Sequence, residues 1–343
     1  MYKQFIKPFV FCFKPETSYH VFLRLVKFSH FIFGPHLIRV THRYESSELG
    51  RDLFGINFKN PVGLAAGFDT NGEYVNEMAD YGFSFIEIGS LSPNPQNGAA
   101  KPRVSRIRKD KAVISRMGGR NKGVKYAISK VESRHKDIIL SANIIPDSQS
   151  HKDEEMIRDC QMAFSMMYDF ADMFTVNIST PNESGVLTIQ DSVSLADMID
   201  PLLELRLCYD TYKPILIKVS PDIPYEQLEG MLDYCRISGV DGIIAGGGSR
   251  KLDVLTCKDR KKNSISNGCI SGAPLFPQTL ELVKHIHEYT KGRFPIIACG
   301  GIMTPEQASD ILNAGASLIQ VNTGLLHNGP KLVKKILKHL ADK

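Results

Sequence analysis

The sequence has no pair of cysteines at metal-ligand or redox spacing. Its seven cysteines (Cys12, Cys160, Cys208, Cys235, Cys257, Cys269 and Cys299) are scattered and odd in number. That fits neither a disulfide framework nor a zinc site and points to a reducing compartment. The chain also lacks any run of 18 or more apolar residues, so no segment is expected to span a bilayer. The N-terminus shows no apolar stretch with a small-residue cleavage site, as a secretory signal would. Acidic residues are nearly missing from positions 1–44, where Glu16 stands alone against Lys3, Lys7, Lys14, Arg24, Lys27, Arg39 and Arg43. The other 299 residues carry 35 basic and 36 acidic side chains, so the net charge of +5 belongs to the N-terminal segment. A neutral body lacks the basic footprint of nucleic-acid binding.

What is present is a globular composition, 43% hydrophobic and 23% charged, with enough length for two domains or one α/β barrel. Residues 1–44 hold eleven of the thirty aromatics. The reading is therefore a small basic, aromatic segment (1–44) joined to a large charge-balanced body (45–343).

Within the body, short Ile/Val-rich runs alternate with one-sided helical stripes. The runs are Val62–Ala66, Phe83–Ile88, Ile138–Asn143, Phe174–Ile178, Ile215–Val219, Gly242–Ala245, Ile296–Cys299 and Leu318–Val321. Continuous apolar runs of this length read as parallel strands covered on both faces. The stripes have apolar residues three and four apart, as in Met156, Cys160, Ala163, Phe164 and Met167. Thr304, Pro305 and Gln307 form a helix start signal. Eight strands alternating with eight helices predict a (β/α)8 (TIM) barrel, with a doubly wound sheet as the alternative. The long gaps at about 91–120 and 246–276 fall after the second and sixth strands, where insertions shape the active site of such a barrel.

Small and polar residues cluster at the predicted strand C-termini. They include Ala66-Gly67, Ser90, Asn143, Asn177, Gly246-Gly247-Gly248, Gly300-Gly301 and Asn322-Thr323. Glycines after the seventh and eighth strands suit a phosphate, whose oxygens approach backbone N–H groups where no Cβ intervenes. They also suit plain tight turns, and the triple glycine is either a phosphate cradle or a flexible loop. Lys218 sits in the apolar run ILIKV. An inward-facing lysine needs an anion, either in a structural salt bridge or on a cofactor or substrate. Asn143 and Asn177 can read a planar ring that carries donors and acceptors. Together these residues suggest a planar phosphorylated cofactor such as flavin mononucleotide (FMN). The segment STPNESGVLTIQ (179–190) reads as a lid or as an ordinary turn-rich loop.

The motifs PVGLAAGFDTNGE (61–73), GFSFIEIGSLSPNPQNG (82–98), KPRVSRI (101–107), VNISTPN (176–182), LIKVSPD (216–222), ISGAPL (270–275) and PIIACGGI (295–302) are more specific than any glycine pattern. Through them nearly the whole chain resembles the quinone-dependent (class 2) dihydroorotate dehydrogenase family. The resemblance implies a dihydroorotate-oxidising FMN enzyme of pyrimidine synthesis that passes electrons to a quinone. It implies an FMN site from Ala66, Gly67, Ser90, Asn143, Asn177, Lys218, Gly246, Ser271, Gly272, Gly300, Gly301, Asn322 and Thr323. It places Thr180 as the residue that takes the substrate proton, where the family usually has Ser. It places Thr70, Ser115, Gly119, Asn177, Asn182 and Gly247 at the substrate. Thr70 stands for a lysine that meets the orotate carboxylate in the family, Ser115 for an asparagine, Gly119 for a phenylalanine and Gly247-Gly248 for Asn-Thr. Among Arg116, Arg120 and Arg250, Arg120 is the candidate to supply the missing cation. The departures also admit a divergent flavin and quinone enzyme acting on another small cyclic substrate, or a flavin-binding protein without turnover.

Residues 1–44 show an amphipathic stripe (Tyr2, Phe5, Ile6, Phe9, Val10, Phe13) interrupted at Pro8, and a looser one from Phe22 to Phe33. Basic amphipathic helices lie on anionic membranes. The plain alternative is a helical cap on the open bottom of the barrel. The resemblance implies a membrane-docked slot for quinone with His20 and Arg106 at the quinone site. It implies a peripheral protein on the cytoplasmic face of a bacterial inner membrane.

Overall fold

The computed structural model describes residues 2–150, 152–179, 195–256, 265 and 268–342. Two short segments open the chain, a π-helical turn (Tyr2–Ile6) and α1 (Lys7–Phe11), with Pro8 in the first turn of α1. A long helix follows, α2 (Pro15–His42). Gly34 (φ 70°, ψ 156°) and Pro35 kink it, because glycine alone adopts that backbone freely and proline removes a helical N–H. A hairpin, β1 (Arg51–Leu53) and β2 (Ile56–Phe58), precedes the barrel.

The barrel closes from eight parallel strands. In spatial order they are β3 (Val62–Leu64), β4 (Phe85–Leu91), β7 (Ile139–Ile144), β8 (Met173–Asn177), β9 (Ile215–Val219), β10 (Gly242–Gly246), β12 (Ile296–Cys299) and β13 (Leu318–Val321). Each expected run holds one of these strands, with bounds shifted by up to three residues at some ends. The eight expected stripes all form helices, among them Val75–Asp80, Val124–Val131, Asp153–Met167 and Lys331–Ala341. The expected start signal is present: the Thr304 side chain accepts a hydrogen bond from the Gln307 N–H.

Side chains two apart on a strand share a face, and this stacks two layers inside the barrel. The lower layer is apolar: Phe85, Met173, Leu216, Ile244, Ile297 and Leu318 pack with Phe58. Phe85 fills the centre, and a Cβ on Gly63 would lie 2.2 Å from its ring. Two residues along the same strands come Glu87, Lys218 and Gln320, a polar layer at the C-terminal end. The hairpin plugs the other end through Leu53, Phe54 and Ile56.

The two long gaps are not free loops. They supply β5 (Val104–Ile107), β6 (Ala112–Ser115) and β11 (Cys269–Gly272), which form a three-stranded antiparallel sheet. The N-terminal helices meet this sheet and the strand C-termini. Arg106 reaches from β5 to the carbonyl oxygen of Phe11 and the Ser18 hydroxyl. Tyr19 donates to the carbonyl oxygen of Phe68. The alternative of a cap on the barrel bottom is not what forms: the hairpin takes that place, the start of α2 meets the strand C-termini, and α2 runs down the flank of the barrel to Arg43, beside Ala79 and Asp80.

Helix α2 is long and apolar enough to cross a membrane by length and composition alone, although no 18-residue apolar run exists. One of its faces packs on the barrel through Phe22, Leu23, Val26 and Ile38. Asp80, 2% exposed, fastens the same helix to its neighbour. Arg39 lies 2.5 Å from its carboxylate, Arg43 3.3 Å and His30 3.4 Å. Burial alone would push His30 down, but the Asp80 carboxylate overrides it and raises the imidazole above its ordinary value. A raised histidine contributes stability that is complete below about pH 6.5 and fades as pH climbs through the folded-state value. The contribution is about 1 kcal/mol. Thermal midpoints at pH 6 and pH 8.5 are expected to differ less in His30→Ala than in the wild type. Equal differences in the two proteins would remove the Asp80 contact as the cause.

Candidate active site

The polar layer is built around Glu87, which has no solvent exposure. The Asn143 side-chain N–H donates to Glu87 Oε1 at 2.6 Å and the Gln320 side-chain N–H to Oε2 at 2.6 Å. The backbone N–H of Ala66 lies 3.4 Å from Oε2, and Lys218 Nζ lies 3.6 Å from it. In the barrel register Lys218 on β9 lies between Asn177 on β8 and Ile244 on β10. Burial favours the neutral amine, but the facing Glu87 charge prevails and raises Lys218 above the ordinary lysine value. Lys218 is thus a fixed cation across the neutral range. Of the alternatives open in the sequence, the salt bridge is present, and the lysine also reaches the cavity above it.

That cavity measures about 800 Å3 and runs from the strand ends to the N-terminal helices. Its wall includes Ala66, Gly67, Ser90, Asn177, Lys218, Ser271, Gly272, Gly300, Gly301, Asn322 and Thr323 of the expected cofactor set. It includes Thr70, Ser115, Gly119 and Gly247 of the expected substrate set, and both His20 and Arg106. Two expected residues are not on the wall. Asn143 is fully buried behind it, holding Glu87. Gly246 serves packing: a Cβ there would lie 2.2 Å from the carbonyl oxygen of Cys299 on the next strand. That settles one third of the triple glycine as close strand contact, while Gly247 and Gly248 do border the cavity. Thr180 and Asn182 lie outside the described residues. Arg116 and Arg120 are on the wall and Arg250 is not.

Hydrogen bonds hold the wall in place. The Asn177 side chain donates to the Ser90 hydroxyl at 3.0 Å and accepts from the N–H and hydroxyl of Ser179. The Thr323 and Ser271 hydroxyls meet at 3.0 Å. Asp69 accepts from the backbone N–H groups of Glu73 and Tyr74 at 2.9 and 2.7 Å, fixing the turn that carries Thr70. Burial pushes the Asp69 carboxyl up to about 7.

The wall suits a flavin. Gln320 Oε1 is buried and has no partner among the described residues, an acceptor ready for a ring N–H. Lys218 offers a cation beside it, and Gly300 and Gly301 let the wall pack closely, since a Cβ there would lie 2.7 Å from Thr279 Oγ1 and 2.2 Å from the Phe276 nitrogen, respectively. Sequence reasoning overlooked Glu87 and Gln320. The signal was available, since each is a lone polar residue in an apolar strand run (FIEIG, LIQV), and such residues demand partners.

A profile of the dihydroorotate dehydrogenase family matches residues 48–343. The chain belongs to the dihydroorotate dehydrogenase family. A relative from Christiangramia forsetii named dihydroorotate dehydrogenase (quinone) is 36% identical over all of this chain and 99% of its own. One of the same name from Coxiella burnetii is 35% identical over 99% of this chain and 97% of its own. Among solved structures, the Eimeria tenella dihydroorotate dehydrogenase in complex with ferulenol superposes with a TM-score of 0.81. It is 26% identical, over 96% of this chain and 91% of that one. The matches to quinone-type relatives extend through the N-terminal helices, so this dihydroorotate dehydrogenase is of the quinone-dependent class. Dihydroorotate dehydrogenases are flavin oxidoreductases.

Proposed function

We propose that this chain oxidises (S)-dihydroorotate to orotate in pyrimidine synthesis, with FMN as its cofactor and a membrane quinone as electron acceptor. One observation carries the reading: a single cavity joins the strand-end polar layer to the N-terminal helices. A reductant and an acceptor can therefore be served from one flavin. When bound, FMN supplies two-electron redox chemistry between the two substrates.

The residues of the chain divide the remaining work. Lys218 places a permanent positive charge where negative charge develops on the cofactor side. Glu87, held by Asn143 and Gln320, keeps that lysine in position. Asn177 presents an amide at the cavity wall, and Ser271, Gly272, Gly300, Gly301, Asn322 and Thr323 form the wall assigned to the cofactor phosphate and ring edge. Thr180 is assigned the proton lost from substrate C5. A threonine hydroxyl is a weak base and requires a neighbour or water to take the proton onward. His20 and Arg106 border the acceptor side of the cavity. Residues 1–44 form the membrane-facing segment, on the cytoplasmic face of a bacterial inner membrane.

The substrate carboxylate needs a cation. Arg120 borders the cavity and makes no hydrogen bond or ion pair with the described residues. We assign it that role. A charge-assisted hydrogen bond contributes about 1.5–3 kcal/mol, so Arg120→Ala is expected to raise the dihydroorotate KM roughly tenfold or more. An unchanged KM would end the assignment.

A second reading rests on the side chains around the mouth. Thr70, Ser115, Gly119 and Gly247 on the cavity wall are small and uncharged, which suits a less polar cyclic substrate. A flavin-binding protein without turnover is the third. Stopped-flow mixing with dihydroorotate separates them: flavin bleaching supports the first, bleaching only by other reductants the second, and an oxidised flavin throughout the third.

A further inference from the structure

The acceptor end of the cavity contains a side chain that no function yet uses. His327 is 3% exposed and borders the cavity. Neither of its ring nitrogens has a hydrogen-bond partner among the described residues. Buried polar groups are almost always paired, because an unpaired one forfeits its water hydrogen bonds for nothing in return. An unpaired imidazole facing a cavity marks a place where a ligand supplies the partner.

The surroundings define that ligand. The Phe11 ring lies edge-on to the His327 ring, with centroids 5.6 Å apart. The Arg106 guanidinium covers the same phenylalanine at 4.0 Å from its centroid. Arg106 and His327 thus border one aromatic surface. Val10 and Leu23 of the N-terminal helices and Leu326 add apolar wall. Burial, and then the positive charges of Lys7, Arg106 and Lys111, push His327 down to about 4. At neutral pH the ring is uncharged, with one N–H donor and one acceptor nitrogen. A carboxylate or phosphate would be served by the cations without a neutral imidazole. A flat apolar ring bearing carbonyl oxygens uses all three features: the aromatic surface, the arginine donors and the imidazole N–H.

We propose that His327 is a positioning residue of the acceptor site, holding a carbonyl oxygen of a quinone headgroup that packs on Phe11 beside Arg106. Arginine only donates, so it favours the quinone form. The imidazole both donates and accepts, so it also serves the hydroxyl of the quinol product. The inference rests on the quinone reading above and names a residue that reading does not include.

The test uses the full-length, flavin-loaded protein, reduced with one equivalent of dithionite and mixed with decylubiquinone or menadione in a stopped-flow instrument. The dependence of reoxidation rate on quinone concentration gives a half-saturating value. His327→Leu is expected to raise it about fivefold or more, as loss of one hydrogen bond to a bound ligand does. His327→Gln, which restores a donor and an acceptor, is expected to recover most of that loss. The thermal midpoint of His327→Leu without quinone should equal or exceed the wild-type value, because an unpaired polar group has been removed. A purely structural histidine would give the opposite, a lower midpoint. An unchanged half-saturating concentration in His327→Leu overturns the proposal, as does failure of His327→Gln to improve on it. If neither quinone reoxidises the wild-type flavin, the quinone reading itself fails and the proposal with it, a result seen in the wild type and not only in the variants.

Discussion

Lys218→Met is expected to slow flavin reduction by substrate about 100-fold or more, the usual consequence of removing one preorganised electrostatic contact from a reacting centre. It is also expected to cost about 3–5 kcal/mol of stability, because it leaves Glu87 buried without its cation. The two losses have different remedies. In Lys218→Met with Glu87→Gln, the buried charge is gone; the glutamine oxygen can still accept from Asn143, and its new NH2 can donate to the unpartnered Gln320 Oε1 once that amide flips. Most of the stability should return in urea unfolding, while flavin reduction stays slow. If the double variant recovered both, Lys218 would be a structural lysine whose only duty is to neutralise Glu87. If it recovered neither, the polar layer would depend on the ion pair for its packing. Burial alone would lower the lysine, yet Glu87 raises it, so no loss of rate is expected from Lys218 deprotonation anywhere between pH 6 and 9.

The barrel was legible because its strands are short apolar runs and its helices one-sided stripes. Both patterns are local, and both follow from covering a parallel sheet on two faces. The strand ends were legible as a cluster of small and polar residues. What was not legible depends on contacts between distant segments. The three-stranded sheet pairs Cys269–Gly272 with Ala112–Ser115, more than 150 positions earlier, and no periodicity signals such a partner. Asn143 and Gly246 stand at strand ends like their neighbours, but one turns to Glu87 and the other lies against Cys299. Strand position gives the level of a side chain in the barrel; which neighbour it meets there, as Asn143 meets Glu87, depends on strands far apart in sequence. His327 was silent for the same reason, since nothing in TGLLHNGP marks a histidine as unpartnered until α1 and β5 are brought over it.

The N-terminal segment carries the largest expected change in location. Ten of the sixteen exposed large apolar side chains among the described residues fall between Phe5 and Val40. Phe28, Phe31 and Phe33 are 58%, 87% and 56% exposed, while Phe22, Leu23 and Val26 of the same helix face the barrel. The helix therefore has one apolar face spent on packing and another left to solvent, beside Arg24 and Lys27. A water-soluble fold has no use for the second face, whereas a lipid headgroup region accepts both the rings and the charges. Each phenylalanine moved from water into an apolar phase contributes about 1.5–3 kcal/mol when fully buried. Phe31→Ser with Phe33→Ser is thus expected to weaken sedimentation with anionic vesicles by about one to two decades, taking half of full burial for each ring. Added salt should weaken wild-type binding only in part, because screening acts on the basic side chains and not on the rings. Activity supplies the second readout. Turnover with a short-chain quinone in solution should survive the double substitution, while turnover with a long-chain quinone embedded in vesicles should fall with the binding. Equal loss with both quinones would mean that the exposed rings support the cavity and not the membrane. Equal retention would mean that the helix reaches its acceptor without the bilayer.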